Sequence, residues 1–176
     1  MAFTRKTDNI DDVMAADINE LQAAIEEIQA SFKPIIPAAR VYTTTSTSIP
    51  NTEDTAINFN SVVYDTDNIF DPITYSKRLF CRTAGLYHIY GQVSWGTNAT
   101  GDRILHLRLN GSTLITTVRR AASGSNNWMI ISTDYPMAVN DYFELVVYQN
   151  SGAALAVVSI GERTPVFGMT YQGKVA

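Results

Sequence analysis

Few side chains in this sequence could do chemistry, and their spacing limits what each is fit for. His88 and His106 are the two histidines and Cys81 is the one cysteine. Taking Tyr87 and Leu107 as inward residues puts both imidazoles on outward strand positions, where they become neighbours only if their strands pair. Cys81 shares parity with Leu79 and reads as a small core residue, with no evident base to hold a thiolate. One cysteine also excludes an intramolecular disulfide and a zinc site built on paired thiolates. Asp65, Asp67 and Asp71 form the single acidic cluster. Oxygen-rich loops can hold calcium, but the spacing lacks the glycine and terminal glutamate of an EF-hand, and Asx turns explain the same pattern. Arg119-Arg120, beside a Ser/Gly/Asn loop, suits either a sulfate or carboxylate or plain solvent. Tyr75, Trp128 and Tyr135 fall near predicted loops and are the candidate contacts for a surface ligand, since aromatic rings at binding surfaces stack on sugars. There is no Gly-x-Ser-x-Gly elbow, phosphate-binding glycine loop or zinc-protease motif, and spacing singles out no carboxylate pair for glycoside hydrolysis. This reading assigns no catalytic residue, no cofactor and no metal, and expects a protein that is not an enzyme.

Strands must carry these residues. The expected ones are 39–45, 56–59, 78–83, 85–95, 103–110, 113–119, 128–133, 141–149, 154–160 and 166–172. Between them lie turn signals, of which Asn110-Gly111, flanked by Leu105/Leu107/Leu109 and Leu114/Val118, is the strongest hairpin. Short strands at this spacing, with no helix after residue 33, predict an all-β jelly-roll sandwich. In 103–109, Leu105, Leu107 and Leu109 face one way and Ile104, His106 and Arg108 the other, the pattern of a half-solvated strand. Strand 141–149 breaks that pattern. Phe143, Leu145 and Val147 line one face, while Tyr142, Val146 and Tyr148 line the other, interrupted by Glu144. A strand apolar on both faces needs a second cover, and another subunit is the expected one.

Before Pro34 and Pro37 the composition is different. Met14, Ile18, Leu21, Ile25, Ile28 and Phe32 are spaced four and three residues apart in turn, as on a coiled-coil seam. The expected helix runs from about Asp12 to Ser31, with Asp11, Asp12 and Asp17 crowding its start and Pro34 ending it. Isoleucine at both seam positions favours more than two strands. Residues 1–37 carry three basic and seven acidic residues and 38–176 carry ten of each, so the whole formal charge of −4 sits on the first segment. A neutral main domain has no broad positive field, which argues against nucleic acid. No apolar run reaches the roughly 18 residues of a membrane span and Met1–Asp12 lacks a signal-peptide core, so neither insertion nor a secretory leader is expected.

Several stretches carry a resemblance to known families. Ala84-Gly85-Leu86-Tyr87-His88-Ile89-Tyr90-Gly91 and Asn140-Asp141-Tyr142-Phe143-Glu144-Leu145-Val146-Val147 resemble strands of the jelly roll shared by the complement first component q head and tumour necrosis factor. Tyr64-Asp65-Thr66-Asp67-Asn68-Ile69-Phe70-Asp71, followed by Arg78-Leu79-Phe80-Cys81, is similar to a Tyr-Asp-Thr-Asp-Gly-x-His-Asp segment and Arg-Leu-x-Cys strand found in phage virion versions of this domain. Asn68 stands where those have glycine and Phe70 where they have histidine, so any role of that histidine does not carry over. Ala15–Ile25 is similar to a short helix near the start of phage fibre and baseplate-associated proteins. The resemblance implies a homotrimer of jelly rolls on a phage particle, a fibre, spike or decoration protein on capsid or tail, made in the host cytoplasm. In this reading residues 1–37 attach to another virion structural protein and 38–176 form the head. Ile18, Leu21, Ile25, Ile28, Tyr142, Val146 and Tyr148 are the expected trimer contacts. The alternative is a carbohydrate-binding adhesion module that recognises a host surface glycan.

Overall fold

The computed structural model describes residues 8–31 and 35–175, which fall into two units divided at Ile35/Ile36. The first unit is a helix, α1 (Asp8–Ser31). It begins four residues before the expected Asp12, so Asp17 lies in the third turn rather than at the start. Phe32 and Pro34, the expected seam end and stop, lie outside the described residues. From Met14 to Gln29 every side chain is exposed, including the apolar seam of Met14, Ile18, Leu21, Ile25 and Ile28.

The second unit has twelve strands: β1 (Ala38–Tyr42), β2 (Thr47–Ile49), β3 (Thr55–Ala56), β4 (Ser61–Asp65), β5 (Arg78–Phe80), β6 (Gly85–Trp95), β7 (Asp102–Leu109), β8 (Thr113–Ala121), β9 (Asn127–Met137), β10 (Tyr142–Gln149), β11 (Leu155–Val157) and β12 (Val166–Gly173). They form two antiparallel sheets. In the first, β6 is central, with β9 along one edge and β12 and β11 along the other, followed by β1 and β4, while β2 extends β11. In the second, β10 has β5 and β3 on one side and β7 then β8 on the other. The expected jelly roll is therefore the observed fold.

Alternation builds the core. Tyr87, Ile89, Val93 and Trp95 of β6 and Phe167 and Met169 of β12 point inward from the first sheet and are at most 2% exposed. Leu105, Leu107, Phe143, Leu145 and Val147 meet them from the second, all at 0% exposure. Gly91 makes one close approach possible, because a Cβ there would lie 2.5 Å from Leu145 Cδ1. At the β7–β8 hairpin Asn110 and Gly111 take φ of 50° and 74°, the paired left-handed conformation that an Asn-Gly turn supplies. Predicted strand 128–133 extends through Pro136 to Met137. This is tolerated because β9 is an edge strand, where a missing amide donor costs no ladder bond.

The cover expected from another subunit over β10 is largely supplied by the chain itself. Val146 is 0% exposed in a single chain, flanked by His106 of β7 and Ala56 of β3, and Glu144 is 4% exposed. Tyr142 lies under the Arg78 guanidinium, 4.3 Å from its ring centre, and against Phe80. Tyr148 is half-buried opposite Ile104. Two-sided apolarity in β10 reflects its central place in the sheet, with neighbours packing over both faces.

Candidate functional site

The acidic segment is a loop lock. Asp65 ends β4 and accepts bonds from the backbone amides of Asp67 (3.2 Å), Ile69 (3.0 Å) and Phe70 (3.0 Å). Asp71 accepts from Ile73 and Thr74, which holds its carboxyl below the ordinary range, and Asp67 accepts from the Thr83 hydroxyl. The three carboxylates thus serve separate backbone or hydroxyl donors rather than one common centre, which is the Asx-turn reading. Asn68 has φ of 51°, the left-handed conformation that the glycine of the resembling segment would take, so the replacement keeps the turn. Phe70 is buried and bridges to Leu79.

The two histidines are not neighbours. His88 is on β6 in the first sheet, bonded through Nδ1 to Asp134 at 2.7 Å; His106 is on β7 in the second, bonded through Nδ1 to Thr117 at 2.7 Å. They point outward from opposite sides of the core. Burial depresses the His106 pKa below its ordinary 6.5. Cys81 is fully buried, its Sγ 3.2 Å from the Thr83 carbonyl, and burial pushes the thiol pKa up, the opposite of activation. Arg119 pairs with Asp102 on an exposed edge.

The three candidate ligand aromatics part company. Tyr135 turns inward and meets Phe143 edge-on at 5.6 Å, so it belongs with the core rather than the surface. Its parity with Met129 and Ile131 was the available signal. Trp128 (46% exposed) and Tyr75 (44% exposed) remain on the surface, but apart, Trp128 on β9 of the first sheet and Tyr75 in the loop before β5.

Trp128 belongs to the outer face of the first sheet. Register places Trp128 beside Ser94, Ile130 beside Gln92, and Asp134 beside His88. Ile130 is 68% exposed. Tyr90 projects from the same face over Gly168, where a Cβ would come within 2.4 Å of the tyrosine ring, and its hydroxyl lies 3.4 Å from that of Tyr64. Burial, with Tyr64 alongside, pushes the Tyr90 pKa up to about 12. Beneath Trp128, Ser94 is 2% exposed and its Oγ has no hydrogen-bond partner.

Tyr75 stands beside a charged ladder on the outer face of the second sheet. Strand order puts β5, β10 and β7 side by side, so Arg78, Glu144 and Arg108 meet across them. Arg78 Nε donates to Glu144 Oε1 at 3.2 Å, and Arg108 Nε donates to Oε2 at 3.0 Å, with Arg108 Nη2 2.9 Å from the same oxygen in an ion pair. The Arg78 guanidinium sits over Tyr142 and beside Tyr75, 5.4 Å from the Tyr75 ring centre. An open cleft of about 280 Å³ is lined by Thr74, Tyr75, Ser76, Lys77, Arg78 and Glu144. Sequence reasoning missed this ladder because its members lie on three separate strands.

At one end of the sandwich, Arg103 is fully buried. Its guanidinium donates to the carbonyls of Asn98, Thr100 and Asp102 and lies 5.7 Å from the Trp95 ring centre. Burial lowers its pKa.

No family model matches the chain, and no curated protein matches it significantly by sequence. Solved structures do match in fold. The globular domain of zebrafish complement 1qA protein is 14% identical, with a TM-score of 0.57 over 79% of this chain and 99% of that one. Eiger TNF from S. frugiperda is 10% identical, with a TM-score of 0.60 over 80% and 95%. Murine APRIL at pH 5.0 is 12% identical, with a TM-score of 0.58 over 78% and 99%. With two antiparallel sheets, a central β6 and these structural neighbours, the second unit has the fold of the complement 1q and tumour necrosis factor jelly rolls.

Proposed function

We infer that this chain is a non-enzymatic display protein of a bacteriophage particle, a homotrimer whose N-terminal segment attaches to another virion protein and whose head faces outward. The observation that carries self-association is the uncovered apolar surface on a chain whose core is already closed. Both units have such a surface. On α1, Met14, Ile18, Leu21 and Ile25 are 46–65% exposed along one stripe. Helices in proteins draw most of their stability from packing an apolar face, and this 24-residue helix carries such a face uncovered. On the head, Trp128, Ile130, Tyr90 and Tyr64 make the first sheet's outer face the better candidate for subunit contact than the Tyr142/Val146/Tyr148 row, which the chain covers largely by itself. The phage assignment draws its support from the loop of residues 64–71, whose Asp65 lock and left-handed Asn68 explain why that segment's residue types recur. Light scattering tests assembly, with a mass near three times 19.4 kDa expected and a monomer contradicting it. Attachment is tested by incorporation: residues 1–37 fused to an unrelated trimeric domain should enter particles, and a chain starting at Ala38 should not. The reverse result would invert the assignment. A glycan-binding role has its own observation, the cation-lined cleft at Tyr75.

A further inference from the structure

We propose that the cleft beside Tyr75 on the second sheet binds an oxyanion carried on a saccharide or polyol chain, such as the carboxylate of an acidic sugar or the phosphate of a polyol-phosphate polymer. This rests on the reading that the head is displayed outward, because only then does its outer face meet such a polymer.

The charges motivate it. Glu144 is the sole carboxylate lining the cleft and both its oxygens are occupied by arginines, Oε1 by Arg78 and Oε2 by Arg108. Two guanidiniums therefore share one carboxylate, and Lys77, exposed on the rim, has no ion-pair partner among the described residues. The balance of Lys77, Arg78, Arg108 and Glu144 is two positive charges in excess, on a head whose overall formal charge is zero. Arg78 spends only Nε on Glu144, and its two Nη nitrogens have no acceptor among the described residues. A guanidinium with free donor edges is suited to a planar or tetrahedral oxyanion, which it engages with two parallel hydrogen bonds.

The site is preorganised. Glu144, with its side chain 5% exposed, fixes the arginines from below, and Tyr142 and Tyr75 flank the Arg78 guanidinium at 4.3 and 5.4 Å. Tyr75 is itself braced edge-on against Phe80 at 5.2 Å. Holding long cationic side chains in place before the ligand arrives removes much of the entropy cost of binding. Two features then favour a saccharide over an acidic peptide. The half-exposed Tyr75 ring offers a face for stacking against a sugar, and the hydroxyl-bearing Thr74 and Ser76 can exchange bonds with its hydroxyl groups. The cleft lies beyond the free edge of no long strand, so it lacks the backbone row an extended peptide would use.

Titration calorimetry on the full chain tests this with four probes: an oligogalacturonate, an oligo(glycerol phosphate), a neutral oligosaccharide of equal length and oligoglutamate. Saturable, salt-sensitive binding of either saccharide-borne or polyol-borne anion is expected, with the neutral probe and oligoglutamate at least tenfold weaker; the tighter of the first two identifies the source of the oxyanion. Lys77→Gln and Tyr75→Ser, both outside the Glu144 bonds, should each weaken binding several-fold with an unchanged far-ultraviolet dichroism spectrum and unchanged urea midpoint, and Arg78→Gln more than tenfold. Neither anion binding at millimolar concentration, equal binding of the neutral probe or of oligoglutamate, or full binding by Lys77→Gln and Tyr75→Ser together overturns the proposal. Because purified protein is measured, these failures are distinct from a failure to trimerise or to enter virions.

Discussion

The two sheets share one core but finish their outer faces in opposite ways. On the second sheet, strand β10 reads as apolar on both sides, yet its outer residues are covered by their own neighbours: Val146 at 0% exposure, Tyr142 under Arg78, and Glu144 between two arginines. On the first sheet, the outer face leaves Ile130 68% exposed and Trp128 46% exposed, with the unpartnered Ser94 Oγ beneath. A two-sided apolar pattern therefore does not identify an interface. What separates the cases is position, because β10 has neighbours on both edges and β9 on only one. Long polar side chains from adjacent strands roof the central strand, while the edge strand keeps its apolar residues in the open.

This contrast can be broken by substitution. The largest effect is expected from Ile130→Glu, which places a charge in the face proposed for assembly, where an unpaired desolvated charge costs several kcal/mol as an order of magnitude. Light scattering should then report monomer, while Tyr148→Glu should leave the trimer in place; the opposite pair of results would restore β10 as the interface. Next, Glu144→Ala should lower unfolding free energy by about 2–4 kcal/mol, since it leaves two guanidiniums without a counter-charge over partly buried surface. Urea titration measures it, and replacing Arg78 and Arg108 by methionine in the same chain should recover much of the loss. Gly168→Ala should cost about 1–3 kcal/mol by overpacking, because the added Cβ would lie 2.4 Å from the Tyr90 ring and 2.9 Å from the Ala39 carbonyl oxygen. Cys81→Ala removes one buried sulfur and should cost about 1 kcal/mol, readable in the same titration.

The smallest effect concerns pH. His106 has a folded pKa depressed below its ordinary 6.5 by burial, so the unfolded chain takes up its proton first on acidification. Its contribution to stability is fully present above about pH 6.5, falls as pH drops toward the folded value, and levels off below that. His106→Gln should flatten this part of the stability–pH curve; an unchanged slope would show that other groups produce it.

Much of the head was legible because alternation is strict where a strand has one wet face. Residues 85–95 and 103–109 alternate in sequence, and they appear as β6 and β7 with Tyr87, Ile89, Leu105 and Leu107 inward, although Ser94 and His106 on the other faces are buried as well. Ser61–Asp65 was missed because Val62, Val63 and Tyr64 are consecutive and all exposed, which hides any period of two. Predicted strand 39–45 ends at Tyr42, since Thr43 leaves the ladder, and β2 begins at Thr47, beyond the predicted end, on a different neighbour. The Asp65 loop was readable because an aspartate's bonds to nearby amides are local. Strand order was not. Arg78 and Glu144 are 66 positions apart, and nothing in either segment says that β5 and β7 flank β10. The same ignorance left open whether His88 and His106 are neighbours, since alternation could orient them but could not assign them to a sheet.

Arg103 has a consequence for engineering. Its guanidinium reaches the carbonyls of Asn98, Thr100 and Asp102 from inside the sandwich, so the β6–β7 connection is tied down along its length by one buried cation. A foreign peptide grafted between Asn98 and Thr100 would pull those carbonyls off the guanidinium and strand a charge against Trp95. The β8–β9 connection around Gly124 has no such tether, and a Cβ at Gly124 meets nothing within 4 Å. Peptide cargo for surface display therefore belongs at Gly124-Ser125, where lengthening loosens hydroxyl bonds such as Ser123 to Ser125 and Thr97 to Asn126 but strands no buried charge.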